Sequence, residues 1–237
     1  MCRHFKSTNI RPGGFSEYIY VSEEHLQNTV FKVAEVLSDI EASFLEPLAC
    51  CLRAVKRANI KDNSKCLVIG LGSVGILMGE AINALGHKSY GCDLKPERLE
   101  LSKKYGFNKT FNSSNQEEFF NSIKEDAPIG FDVVFLTAGA SKTIDLAIKS
   151  VRDGGKIVVF SSVSDTTGFM NNEIYYRELT VMGSYSPSPY DLKESMNLIE
   201  NKQVKVDSLS VIYPLDKLNE AIEDTLSNKI MKAFIKL

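Results

Sequence analysis

No apolar run of the 237-residue chain approaches the ~18 residues that cross a bilayer, which excludes a membrane helix bundle. The opening residues, Met1-Cys-Arg-His-Phe-Lys6, hold no apolar core of the secretory-signal kind. Excess basic charge is missing too. The 28 Lys and Arg stand against 30 Asp and Glu, a net charge of −2, so no nucleic-acid or polyanion surface is indicated. Cysteine is sparse. Cys2, Cys50, Cys51, Cys66 and Cys92 show no C-x-x-C spacing and no extracellular disulfide framework. Histidine is sparser. His4, His25 and His87 show neither H-x-x-H nor H-E-x-x-H spacing, so each reads as a solvated side chain and no catalytic histidine is expected. Internal repeats and low-complexity tracts are absent. The expectation is a reduced, cytoplasmic protein. Its 43% hydrophobic and 24% charged content is that of a soluble globular chain.

What the chain does contain is concentrated in one stretch. Lys65-Cys-Leu-Val-Ile69 is a short apolar run that reads as a buried strand. Gly70-Leu-Gly72-Ser-Val-Gly75 follows directly, and Val74–Leu85 has the apolar spacing of a helix. Asp93 stands eighteen residues beyond Gly75, at the end of a second short strand, Ser89–Cys92. This unit is the dinucleotide-binding βαβ fingerprint. Gly70 permits the tight turn. Gly72 lacks a Cβ, so the backbone N–H groups of the turn and of Ser73 and Val74 can approach a pyrophosphate. Gly75 lets the helix pack close to the sheet. The helix N-terminus adds orphan donors and the positive end of its dipole. The Asp93 carboxylate can accept hydrogen bonds from adenosine ribose hydroxyls. A glycine-rich strand–helix turn without a ligand is the competing reading.

Strand and helix alternate through the middle of the chain. A helix from about Pro96 to Tyr105, a strand at Lys109–Phe111 and a polar helix at Gln116–Lys124 come first. A strand at Phe131–Leu136 and a helix at Ser141–Val151 follow, with Ser141 as N-cap and Gly154-Gly155 as the stop. Strands at Lys156–Phe160 and Thr180–Gly183 complete six. The pattern predicts an α/β fold with a doubly wound, six-stranded parallel sheet of the Rossmann kind. The two ends depart from it. Residues 13–21 read as a turn and an alternating strand suited to an antiparallel β region. Asp191–Asn201 and Leu215–Leu226 read as helices, with strands at Val211–Tyr213 and Lys232–Ile235. A second, partial β-rich domain built from both termini is expected.

Several segments together resemble a family. Asn9-Ile-Arg-Pro-Gly-Gly-Phe-Ser-Glu-Tyr-Ile19, Glu46-Pro-Leu48, Gly70–Gly75 with Asp93, Arg177–Tyr185 and Tyr213–Ala221 resemble the medium-chain zinc-dependent alcohol dehydrogenases, of the sorbitol and threonine dehydrogenase kind. The resemblance covers essentially the whole chain. It implies NAD(P)-linked oxidation of an alcohol or polyol CH–OH group, or reduction of the matching carbonyl, at a catalytic zinc. It also implies a homodimer or homotetramer. Residues 50–184 would be the dinucleotide-binding domain, and 1–49 with 185–237 the remnant of a GroES-like catalytic domain. The zinc-bearing front of the family is missing. A fragment, a split or truncated gene, and an internally initiated subunit all fit that departure. The resemblance makes Glu46 a catalytic-site carboxylate, either a ligand of the catalytic zinc or a hydrogen-bond partner of zinc-bound water, and Cys2 a remnant of the structural zinc lobe. The bland readings are an acid favoured by a helix N-terminus and a free surface thiol.

The remaining candidates lie at the sheet's carboxyl edge. Asp93 favours NAD over NADP, because its charge repels a 2′-phosphate, while Lys95 and Arg98 blur that preference. By position in the family Arg98 touches the adenosine ribose. Thr137 and Ala138 end one strand and Ser161 follows another, and the resemblance brings them near the nicotinamide ribose. Ordinary strand-to-helix turns are the alternative. Gly183-Ser-Tyr-Ser186 stands where sorbitol-type members carry an Arg-Tyr pair, which weakens a polyol assignment. A non-catalytic NAD-binding fragment or subunit and a zinc-independent quinone-reductase-like enzyme are the competing functions. A methyltransferase is compatible with the fold alone.

Overall fold

The computed structural model describes residues 12–139, 141–162 and 171–237, without the side chains of Asn28 and Ser141. They form two compact units. One runs Phe44–Val206, and the other combines residues up to Ser43 with Asp207–Leu237. The larger unit extends beyond 50–184 at both ends, because the helices flanking the sheet pack on it and on each other.

In the smaller unit α1 (Glu23–Thr29) starts on a Ser22 cap, and α2 (Asp39–Ala42) starts on a Ser38–Glu41 capping box. The larger unit opens with α3 (Leu45–Ala58), β1 (Lys65–Ile69), α4 (Ser73–Ala84) and β2 (Lys88–Asp93). Next come α5 (Pro96–Ser102), β3 (Lys109–Asn112), α6 (Gln116–Ile123), β4 (Phe131–Leu136) and α7 (Ser141–Ser150). The unit closes with β5 (Val151–Val159), α8 (Asn171–Tyr176), β6 (Thr180–Gly183) and α9 (Pro189–Glu200). The smaller unit then adds β7 (Val211–Pro214), α10 (Leu218–Leu226) and β8 (Ala233–Lys236).

The six strands of the larger unit are all parallel, in the order β3-β2-β1-β4-β5-β6. That is the doubly wound arrangement. The order reverses between β1 and β4, so the switch point lies at the carboxyl end of β1. One sheet face packs on an aromatic cluster of Tyr90, Phe111, Phe119 and Phe131. The other carries α3. Lys156 of β5 points to that face and caps the α3 C-terminus, its Nζ donating to the Ala58 carbonyl at 2.6 Å. Midway along α3, the Cys51 thiol donates to the Val74 carbonyl at the start of α4. Hence α3 runs antiparallel to the strands and begins at their carboxyl edge. Asp191 fixes α9 to α3. It is 5% exposed, caps α9 through Ser188, and pairs with Lys56 at 3.1 Å and Arg53 at 3.9 Å. Burial opposes its charge, but the hydrogen bonds from Ser188 and Lys56 hold its carboxyl below the ordinary range.

Two expectations change. Residues 15–21 form no strand. Tyr20 alone has an isolated bridge, and Phe15, Tyr18 and Tyr20 are all well exposed, so the alternation buries neither face. The expected strands at Val211–Tyr213 and Lys232–Ile235 form β7 and β8, which pair in parallel as a separate two-stranded sheet. Gly154 and Gly155 lie inside β5 instead of ending a helix. Helix α7 stops at Ser150, and the register between β4 and β5 slips there, a bulge that uses the positive φ of Gly154 (+64°). A Cβ on Gly155 would meet Val151 Cγ2 at 2.5 Å. The expected Ser141 cap lies outside the described side chains.

One buried acid yields a prediction. Glu80, on α4, is 8% exposed and accepts the Lys205 N–H at 3.0 Å. Burial pushes its carboxyl up to about 7, against the Lys205 hydrogen bond and charge. Its folded pKa is therefore above the unfolded one. The stability it contributes is full below the ordinary carboxylate range and is lost as pH rises through about 7. Glu80→Gln should therefore gain on the wild type as pH goes from 5 to 8 in urea melts. Parallel pH profiles for the two proteins would contradict this assignment.

Candidate functional site

Strand β1 delivers the chain to the sheet's carboxyl edge at Ile69. Gly70 turns it with φ +95°, a region that favours glycine. Its N–H bonds the Cys92 carbonyl of β2 at 2.8 Å. The chain then doubles back so tightly that a Cβ on Gly75 would lie 1.8 Å from the Gly70 carbonyl oxygen. Thr137, just beyond β4, braces this contact from behind. Its hydroxyl faces the Ile69 and Gly70 carbonyls at 3.0 and 2.7 Å. Ala138 sits against Gly70, where an added Cβ would meet the Ala138 Cβ at 2.7 Å.

The result is a helix N-terminus without a side-chain cap. Gly72 is the N-cap of α4, and its extended backbone (φ −68°, ψ −177°) gives the first turn no side-chain acceptor. The orphan N–H groups of Ser73, Val74 and Gly75 open that turn. A Cβ built on Gly72 meets no atom within 4 Å. The cradle is thus open where the motif needs close approach and tight where it needs packing.

Asp93 closes the next strand, β2. It is 6% exposed, and its carboxylate is held by backbone donors from both sides. Oδ2 accepts the Leu71 N–H at 2.8 Å, and Oδ1 accepts the Lys95 N–H at 3.0 Å. The Arg98 guanidinium reaches Oδ2 at 3.4 Å. The acid is fixed beside the glycine turn with a cation already leaning on it. The Leu71 anchor was not visible in the sequence, because it uses a backbone N–H.

The other edge residues follow the sheet order. Gly139 sits under Ser162, whose carbonyl oxygen would lie 2.7 Å from an added Cβ, and Ser161 is the nearer of the two serines to β5. So Gly70, Gly72, Ser73, Val74, Gly75, Asp93, Arg98, Thr137, Ala138 and Ser161 all lie along one edge of the sheet.

The metal candidates are not gathered. Glu46 stands exposed in the first turn of α3 and accepts a hydrogen bond from the Cys50 thiol at 3.3 Å. Burial and then the Glu46 charge push the Cys50 thiol up to about 12. Cys66 and Cys92 are buried strand residues whose thiols burial likewise pushes up to about 12. Cys2 lies outside the described residues, as does His4. His25 shares a hydrogen bond with Ser22 at 2.8 Å. Among the described residues no three His, Cys, Asp or Glu side chains come together in a group able to hold a metal.

The geometry separates two glycines. Gly75→Ala should lower stability by several kcal/mol, at or above the ~1–3 kcal/mol typical of overpacking, since rigid backbone blocks the methyl. Gly72→Ala should leave the melting temperature within about a degree or two, the ordinary range for surface substitutions. Equal melting temperatures for the two variants would contradict the packing described.

Comparison with known proteins agrees with the fold. The family model described as zinc-binding dehydrogenase matches residues 73–201. (R,R)-butanediol dehydrogenase of Bacillus subtilis is 33% identical over 172 residues, covering 72% of this chain and 48% of that protein. A crystal structure of 2R,3R-butanediol dehydrogenase from the same species superposes with a TM-score of 0.83 at 28% identity, covering 95% of this chain and 64% of that one. Sorbitol dehydrogenase 1 of Saccharomyces cerevisiae is 29% identical over 221 residues, 88% of this chain and 60% of that protein. A putative zinc-binding dehydrogenase of Sinorhizobium meliloti bound to NADP shares the fold, with a TM-score of 0.82 at 23% identity over 95% of this chain and 66% of that one. The chain spans about half to three fifths of the length of the two curated relatives (48% and 60%). With the family model covering more than half of its residues, and the six-stranded sheet and glycine turn in place, the chain belongs to the zinc-binding dehydrogenase family.

Proposed function

We propose that this polypeptide is the nicotinamide-dinucleotide-binding part of an oxidoreductase acting on an alcohol or polyol CH–OH group. One observation carries the reading. The uncapped N-terminus of α4 opens into free space at Gly72, and the Asp93 carboxylate is fixed on the neighbouring strand. The names of the butanediol and sorbitol dehydrogenases support the substrate class, and the NADP-bound relative supports the cofactor class.

The chain's residues fit such a cofactor. Gly70 and Gly72 shape the turn, and the N–H groups of Ser73, Val74 and Gly75 would face the pyrophosphate, where the helix dipole favours negative charge. Asp93 would hold the adenosine ribose, with Arg98 beside it. Thr137, Ala138 and Ser161 would line the edge toward the nicotinamide. The bound nicotinamide supplies the hydride acceptor or donor.

A catalytic zinc is not matched in the same way. Such a site takes three protein ligands and an open position. Glu46 stands exposed in the first turn of α3, and the described residues bring together no group of three donors. No step is routed through a metal on this chain. This favours a second reading, in which the 237-residue polypeptide by itself binds dinucleotide without turnover.

Two outcomes follow. NADH should bind more tightly than NADPH in calorimetric titrations, and Asp93→Ser should narrow the gap. A lost charge-assisted hydrogen bond is worth about 1.5–3 kcal/mol, roughly ten- to a hundredfold in affinity. Equal or reversed affinities in the wild type would shift the role to Lys95 and Arg98. The isolated polypeptide should also form no NADH above background with a panel of alcohols and polyols. Stoichiometric zinc with robust turnover would refute that second reading.

A further inference from the structure

Three acids of the larger unit are buried among the described residues. Asp93 has Arg98 against it, and Asp191 has Lys56 and Arg53. Glu80, on α4, makes no ion pair among the described residues. It holds main chain instead. Its Oε2 accepts the N–H of Lys205, a residue 125 positions further along the chain, at 3.0 Å. A buried carboxylate needs a counter-ion or several donors to stay charged at low cost. Glu80 has one neutral backbone donor, and the Lys205 side chain is exposed to solvent.

The bond sits at a particular place in the chain. After α9 the Gln203 and Val204 N–H groups close onto the Leu198 carbonyl at 2.9 and 3.2 Å. The larger unit ends two residues later, at Val206, and the chain passes into the smaller unit at Asp207. Residues 204–206 belong to no helix or strand. Among the described residues this segment is fastened by two buried side chains, Val204 and Val206, and by the Glu80 bond between them. Other titratable groups leave Glu80 alone. Cys51 on α3, Cys66 on β1, Cys92 and Asp93 on β2, and Tyr105 after α5 stand on the elements packed against α4. On α3, Arg53 and Lys56 are turned to Asp191, and Lys103 and Lys104 beside Tyr105 are exposed. Burial, the Lys205 N–H and the Lys205 charge are what move the Glu80 carboxyl.

We propose that Glu80 is a proton-operated latch on the exit segment Val204–Val206, closed while its carboxyl is neutral and released when it ionises. The neutral acid keeps a carbonyl oxygen that accepts the Lys205 N–H, and it is cheap to bury. The ionised acid is not. Opening the segment admits water to the carboxylate, so ionisation drives opening. The sign follows from linkage. The closed form titrates at about 7 and the hydrated group at its ordinary 4.5. Below the lower value both forms carry the proton, and opening does not depend on pH. Between the two only the closed form carries it, and the open fraction grows about tenfold per pH unit. Above about 7 neither form carries it, and the open fraction levels off. The latch thus acts across the approach to neutral pH, at the point where the chain leaves the larger unit.

The Lys205 amide reports the latch, because its proton exchanges with solvent only when the bond to Glu80 breaks. Hydrogen exchange is followed by NMR from pH 5 to pH 8 in wild type and Glu80→Gln, with rates corrected for the base-catalysed rise in intrinsic exchange. In the wild type, protection at Lys205 should fall on the order of fifty- to a hundredfold over that range, the factor that the two titration values give. In Glu80→Gln it should stay level. Low urea should leave Lys205 exchange unchanged while it speeds the β1 amides Leu67 and Val68, since a local opening exposes little surface and global unfolding exposes much. Level protection at Lys205 in the wild type would overturn the proposal, as would an equal fall in Glu80→Gln. The same urea dependence at Lys205 as in β1 would also overturn it, because Glu80 would then act on global stability alone. If Glu80→Gln does not fold, the wild-type pH and urea profiles decide by themselves.

Discussion

The Gly75 backbone packs against the Gly70 carbonyl at a separation that no side chain allows. An added Cβ there would sit 1.8 Å from the oxygen. That contact fixes the angle at which α4 leaves β1, and so the direction of its first N–H groups. Thr137 holds the Ile69 and Gly70 carbonyls from the neighbouring strand, which keeps the turn rigid. Rigid placement lets backbone donors bind an anion without first being ordered. Asp93 depends on the same turn, because the Leu71 N–H that anchors it comes from inside it.

Charge is arranged sparingly around this frame. Asp93 is held by the Leu71 and Lys95 backbone N–H groups, with the Arg98 guanidinium beside it. On the α3 face, Asp191 takes the opposite role. It is buried, capped and paired with Lys56 and Arg53, and it fixes two helices to each other. Breaking one partner of such a group is costly, since the charge left behind is desolvated. Burial pushes the Cys50, Cys66 and Cys92 thiols up to about 12.

Much of the fold was legible in the sequence where one rule acted alone. Buried parallel strands read as apolar runs, and β1 and β4 fell where those runs are. The glycine spacing and Asp93 marked the candidate cofactor edge. Legibility ended where two rules competed. Gly154-Gly155 has the chemistry of a helix stop and also of a strand bulge, and the tight packing of Gly155 against Val151 decided for the bulge. Residues 15–21 alternate like a strand, but with no buried face the alternation specifies nothing. The Leu71–Asp93 bond was hidden for a simpler reason: it arises from long-range packing, which residue types and spacing do not encode.

The central claim is that backbone groups of the β1–α4 turn form the dinucleotide site. Amide-resolved NMR titration with ADP-ribose tests it directly. Saturable shifts should be largest at Leu71 through Ile76 and at Asp93 and Lys95, and small in the smaller unit. The claim is contradicted if no saturable shifts appear, or if they centre elsewhere, such as the cavity of about 160 Å³ lined by Phe15, Ser43 and Phe234.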